Sequence, residues 1–133
     1  MKEVAALLIG HGSKLEEQRK MVEQIALSIK SKNIFADVFY AFMNVNRPSV
    51  QESMSEIVKK GYKKIVAIPI FLSDGIHTTE DIPKVLGLPK GVKKGFVDVD
   101  GKKVEVFYAR TIGFDERIVE ILIERGKEAI DIS

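Results

Sequence analysis

The sequence predicts a single α/β domain over residues 1–133, built on a mostly parallel sheet. Three observations carry that expectation. Short apolar runs alternate with stretches of helical periodicity, the pattern of right-handed βαβ crossovers. The first run, Val4 to Ile9, is continuously apolar, as a strand covered on both faces should be. No repeat, low-complexity tract or linker divides the 133 residues, a length typical of one domain.

The elements follow in order. After the Val4–Ile9 strand, Gly10-His11-Gly12-Ser13 makes a tight turn. Ser13 is the N-cap candidate of the next helix, and Glu16 and Glu17 fall in its first turn. Val22, Ile25, Ala26 and Ile29 recur at helical spacing and carry that helix to about Ser31. Ile34 to Met43 reads as a second strand. Pro48 suits the first turn of a second helix, with Val50, Met54, Ile57 and Val58 as its buried stripe and Gly61 as its stop. Lys64 to Leu72 is the third strand, and Pro69, which lacks a ladder donor, marks a bulge or the strand's end. A loop over 73–79 leads into a helix start at Thr79-Glu80-Asp81-Ile82-Pro83, and residues 87–95 form a Gly/Pro/Lys loop. Phe96 to Tyr108 alternate about Asp100-Gly101, a hairpin signal. The last helix covers about Phe114 to Ile130. Its apolar girdle is broad: Ile118, Ile121 and Leu122 form one stripe, and Val119, Ile123 and Ile130 another. That breadth calls for a second buried face, either a subunit interface or deeper burial within the monomer. The expected strand order is 2-1-3-4, flavodoxin-like, with a C-terminal β-hairpin. Such sheets bind ligands beyond the carboxyl ends of the strands, at the switch point between strands 1 and 3.

Composition narrows the chemistry. Apolar residues make up 45% and charged residues 30%, as in an ordinary globular protein. There are no cysteines, so disulfides, thiolate nucleophiles and cysteine-ligated metals are excluded. A formal charge of +2 is too small to argue for nucleic acid and suits a small anionic ligand. No apolar run has the length of a membrane span, and the start of the chain reads as a buried strand rather than a leader, so a cytoplasmic protein is expected.

The only two histidines, His11 and His77, follow strands 1 and 3 and so belong to neighbouring loops on one sheet edge. Neutral imidazole ligates divalent metals and accepts protons near pH 7, and a pair on one rim suits either task. Asp74, Glu80 and Asp81 flank His77 as oxygen ligands or as groups that orient the imidazole, although acids in a first helical turn are common for the dipole alone. Arg47, Lys84 and Arg110 stand at loop or helix ends where they can meet carboxylates. Gly10-His11-Gly12-Ser13 also has the form of a weak phosphate cradle, but it is neither a Walker loop nor a dinucleotide fingerprint.

Leu8-Ile9-Gly10-His11-Gly12-Ser13, Ala41-Phe42-Met43-Asn44 leading to Pro48-Ser49, and the block from Pro69 to Pro83 together resemble the small CbiX-type sirohydrochlorin chelatases, short archaeal members of the class II tetrapyrrole chelatases. The resemblance runs from Val4 to about Arg125. It implies a chelatase-like version of the fold and insertion of Co²⁺ into sirohydrochlorin on the route to cobalamin. The related insertions of Ni²⁺ for coenzyme F430 or Fe²⁺ for sirohaem are alternatives, as is a metal or tetrapyrrole carrier without turnover. His11 and His77 match the family's metal-binding and catalytic histidines. Ser13, Asn44, Arg47, Gly75, Ile76 and Thr78 are the expected substrate contacts around them. No tightly bound cofactor is implied, since Co²⁺ is substrate, and neither nucleic acid nor membrane is an expected partner. The short form is expected to pair as a homodimer. One departure is Asn44, where many relatives carry glutamate. An amide is no base at neutral pH, so a carboxylate role passes to Asp74, Glu80 or water.

Overall fold

A computed structural model of the chain describes residues 1–132. Five strands, β1 (Val4–Gly10), β2 (Asp37–Phe42), β3 (Lys64–Pro69), β4 (Lys94–Val99) and β5 (Lys102–Tyr108), form one sheet in the order β2-β1-β3-β5-β4. The helices are α1 (Glu16–Ser31), α2 (Val50–Lys59), α3 (Ile82–Leu86) and α4 (Glu116–Ile132), with a wide turn at His77–Asp81 running into α3. β1 pairs in parallel with β2 and β3, and β5 pairs in parallel with β3. The 2-1-3 part of the expected order holds. The fourth position is taken by the second strand of the hairpin, and its first strand lies outermost and antiparallel. The hairpin therefore belongs to the main sheet. Asp100 (φ 52°) and Gly101 (φ 79°) both adopt the left-handed conformation that a tight two-residue hairpin turn demands.

The central strand is apolar throughout because both its faces are covered. Ala5 to Ile9 are all at most 1% exposed. On one face, the inward residues of β3 and β5 (Ile65, Ala67, Val104, Val106) pack with Val50, Met54, Ile57 and Val58 of α2 and with Ile82 and Leu86 of α3. Fully burying each such side chain is worth about 1.5–3 kcal/mol. α1 packs across β1 and β2 on the other face through Val22 and Ala26. That second face has no helix over its far half. Val66, Ile68 and Phe107 are only half-buried there, and Phe96 is 62% exposed.

Several boundaries differ from the sequence reading. Ser13 does not cap α1. The helix starts at Glu16, and the Ser13 hydroxyl accepts the Leu15 N–H at 3.1 Å within the turn. Pro48 precedes α2 rather than entering it. The cap is Ser49, whose hydroxyl accepts from the Glu52 N–H while the Glu52 carboxylate accepts from the Ser49 N–H, a reciprocal capping box. The third strand ends at Pro69, so the proline marks an end and not a bulge. α4 does not bury its girdle in the monomer. Ile121, Leu122 and Ile123 are 48%, 64% and 52% exposed, and α4 makes no substantial packing contact with another element among the described residues.

The turn after β1 depends on one glycine. Gly12 has φ +101°, and a Cβ there would stand 1.8 Å from the Asn44 carbonyl oxygen. We expect Gly12→Ala to cost more than about 3 kcal/mol in urea unfolding. Gly61→Ala, at φ +96° but with nothing within 4 Å of the added carbon, should cost about 1–2 kcal/mol from backbone strain alone.

Glu52 supplies a pH signature at the start of α2. The Arg47 guanidinium, helped by the Ser49 N–H, holds its carboxyl down to about 2 from an ordinary 4.5. A depressed carboxyl stabilises the fold above its unfolded value and loses that contribution as pH falls from 4.5 toward about 2. Thermal melts across that window should therefore fall less steeply for Glu52→Gln than for the unmodified chain.

Candidate active site

The carboxyl ends of β1 and β3 deliver His11 and His77 to adjoining loops. His11 follows the last residue of β1, where Met43 N–H donates to Gly10 O and Asn44 N–H donates to His11 O, both at 2.9 Å. The loop after β2 thus zips onto the loop after β1. Two side chains complete the turn: Gln18 Oε1 accepts the Gly12 N–H at 2.6 Å, and Asn46 Oδ1 accepts the Ser13 N–H at 2.7 Å.

His77 opens the wide turn, in which the Ile82 N–H reaches back five residues to His77 O. Such one-residue expansions of a helix recur at functional sites. The turn is anchored from within and from below. The Thr78 hydroxyl accepts the Gly75 N–H at 2.9 Å and donates to Asp74 Oδ1 at 3.0 Å. The Tyr108 hydroxyl, at the end of β5, donates to Thr78 O at 2.6 Å. Burial first, and then the Asp74 charge, pushes the Tyr108 phenol up to about 12, so it stays a donor.

The two imidazoles meet. Their Nε2 atoms are 3.2 Å apart, with ring centroids at 4.7 Å and planes at 73°. His11 Nδ1 lies 3.0 Å from Gly12 O, which can only accept, so this nitrogen carries the proton and Nε2 presents a lone pair. Asp81 Oδ2 lies 2.9 Å from His77 Nδ1, but off the ring N–H direction. That buried nitrogen thus has a charge partner without a directed hydrogen bond. The carboxylate favours the same tautomer at His77. Two lone pairs facing at 3.2 Å repel unless a proton or a metal cation lies between them. A first-row divalent ion about 2.1 Å from each nitrogen would subtend about 100°, an ordinary angle between neighbouring ligands.

The residues around the pair sort by what they touch. Asn44 is exposed and serves His11 through its backbone, and its side chain makes no hydrogen bond among the described residues. Arg47 is committed to a forked pair with Glu52. Gly75 and Ile76 lie on the open side of the His77 loop, Ile76 at 69% exposure. Thr78 is 3% exposed, and its hydroxyl is used within the turn, so it frames His77 from below. Of the three acids that flank His77 in sequence, the one that stands against its ring is Asp81. Asp74 serves Thr78, and Glu80 pairs with Lys90 at 3.4 Å. An i,i+4 spacing from His77 is the sequence signal that identifies Asp81. Nothing local signals Gln18, Asn46 or Tyr108.

Exposed apolar side chains stand on the loops at the histidines' end of the sheet, among polar ones such as Asn44 and Asp74. Val45, Leu72, Ile76, Ile112 and Phe114 are exposed on the loops after β2, β3 and β5. The last two of these loops are joined by Ile112 N–H to Phe71 O and Gly113 N–H to Leu72 O. Cavities of about 530 and 430 Å³ lie elsewhere, beside β2 and between α2 and the hairpin turn, and hold neither histidine.

Comparison with known proteins converges on one family. The CbiX family model matches residues 5–129. The sirohydrochlorin cobaltochelatase of Methanopyrus kandleri is 39% identical over 142 residues, covering 96% of this chain and 97% of its own. That of Methanosarcina acetivorans is 40% identical over 125 residues, covering 93% and 95%. Among solved structures, the sirohydrochlorin chelatase SirB from Bacillus subtilis subspecies spizizenii, in complex with cobalt, shares the fold at TM-score 0.77 and 22% identity. The match covers 94% of this chain, which spans about half (50%) of the SirB chain.

Replacing Tyr108 by Phe leaves the Thr78 carbonyl without its buried donor. Urea unfolding should show a loss of about 1–2 kcal/mol. The His77 ring signals in NMR should broaden as the turn loosens.

Proposed function

Because the chain belongs to the CbiX family, we propose that it inserts Co²⁺ into sirohydrochlorin, releasing the two pyrrole protons. The observation that carries this reading is the facing pair of Nε2 atoms at 3.2 Å, with the Gly12 carbonyl at His11 Nδ1 and the Asp81 carboxylate beside His77 Nδ1. The reaction exchanges two N–H protons of the ring for one divalent cation. Two neutral imidazoles hold the cation through lone pairs and leave its other positions open to incoming ring nitrogens. Anionic or thiolate ligands in number would trap it. As the metal leaves, the same nitrogens are free to accept the displaced protons. Asp81 stabilises the imidazolium that forms at His77, as a carboxylate behind a histidine does elsewhere. The exposed apolar loops supply a surface for the face of a flat macrocycle.

The same reading includes a homodimer. One chain carries both an unpacked apolar helix, α4, and an apolar sheet face lacking a cover, Val66, Ile68, Phe96 and Phe107. A second copy can bury both at once through a symmetric exchange of contacts. Ni²⁺ and Fe²⁺ remain alternative substrates, since imidazole suits all three ions.

His11→Ala and His77→Ala should each lower anaerobic insertion, followed by the absorbance shift of the ring, by about 100-fold or more while leaving circular dichroism and melting unchanged. Near-unchanged insertion by either variant refutes that residue's role. Stoichiometric binding of metal and ring with no turnover by the unmodified chain refutes the enzyme. Sedimentation should give a dimer that Ile121→Ser with Leu122→Ser converts to monomer.

A further inference from the structure

Beside the wide turn lies a small cavity of about 130 Å³. Thr78, Thr79 and Pro83 form one wall, and Lys90, Lys93 and Tyr108 another. It lies on the same sheet edge as the histidines. β4 runs antiparallel to β5, so the loop entering β4 returns to the end of the sheet where β5 finishes. The Tyr108 N–H donating to Lys93 O at 2.8 Å fixes that loop there. No carboxylate side chain lines the cavity. Lys93 Nζ stands 4.9 Å over the Tyr108 ring and makes no ion pair among the described residues. Lys90 has only the Glu80 contact at 3.4 Å, between side chains 73% and 49% exposed, and such a pair is weak in water. The Tyr108 hydroxyl is already used by Thr78 O. The Asp74 carboxylate, whose negative charge is felt at Tyr108, is bonded to the Thr78 hydroxyl.

We infer that this cavity is an anchoring subsite for one carboxylate arm of the macrocycle, held by Lys90 and Lys93, and so fixes how the ring is turned over the histidines. The inference rests on the chelatase reading and names specificity-determining residues within it. Two ammonium groups at one mouth supply charge for an anion, and the small volume admits an arm but not a ring. The neighbouring turn carries His77, so an arm seated here couples ring orientation to the metal ligand. Of the three cations the sequence offers for this task, Arg47, Lys84 and Arg110, the first is already paired with Glu52.

The test is an equilibrium titration of the protein with metal-free sirohydrochlorin, read by ring fluorescence, in parallel with steady-state insertion. Lys93→Gln should weaken ring binding about 3–10-fold, and Lys90→Gln with Lys93→Gln more, as loss of a charge-assisted contact to a carboxylate does. Lys93→Glu should weaken it further, since a reversed charge repels the carboxylate arm, while melting compared across Lys93→Gln and Lys93→Glu separates this from loss of the contact with the Tyr108 ring. The variants should lose most of the salt dependence of the unmodified chain, and the ring KM should rise while the Co²⁺ KM does not. Unchanged ring affinity in the double variant overturns the subsite even where insertion proceeds normally. Lysine-dependent ring binding in a chain that turns over no metal upholds the subsite and overturns the chelatase reading instead.

Discussion

The site depends on two imidazole nitrogens held face to face at 3.2 Å with their lone pairs convergent. That arrangement is unfavourable in the absence of a shared proton or cation, so the scaffold has to impose it. It does so from behind each ring. A backbone carbonyl sets the His11 tautomer and a carboxylate stands against His77. The loops bearing them are fastened at both ends, the first by Gln18, Asn46 and the Asn44 N–H, the second by Thr78, Asp74 and Tyr108. Repulsion that would scatter two mobile side chains becomes, in a rigid frame, an affinity for positive charge. Transfer needs this to be moderate, and two neutral ligands provide that where a carboxylate or thiolate cage would not.

Around that pair the surface divides by chemistry. Apolar side chains on three loops occupy the open rim, and lysines on the approach to β4 lie at its margin. A flat ring with charged arms asks for this division, because its face is desolvated on apolar surface while its periphery keeps ionic partners. The cavities of about 530 and 430 Å³ lie elsewhere, which fits a substrate broader than any pocket of a small domain.

The monomer also leaves apolar surface unresolved. α1 covers the β1–β2 half of one sheet face, and α4, which has the composition to cover the other half, stands away from it. A helix and a sheet face that are both exposed in one chain are complementary in kind. The hydrophobic effect that builds the α2–α3 side of the core acts equally on these surfaces, which is the physical basis of the proposed homodimer.

Much of this was legible along the chain. The apolar run of Val4–Ile9, the periodic stripes of α1 and α2 and the Asp100-Gly101 turn depend on local pattern and on whether residues meet water, and these fixed the parallel sheet and put both histidines on one edge. Ser13 failed as a cap because a short polar side chain bonds whichever backbone group the fold brings near it. The place of the hairpin within the sheet and the exposure of α4 were decided only by tertiary structure. Each turns on how segments far apart in sequence pack, which spacing along the chain does not encode.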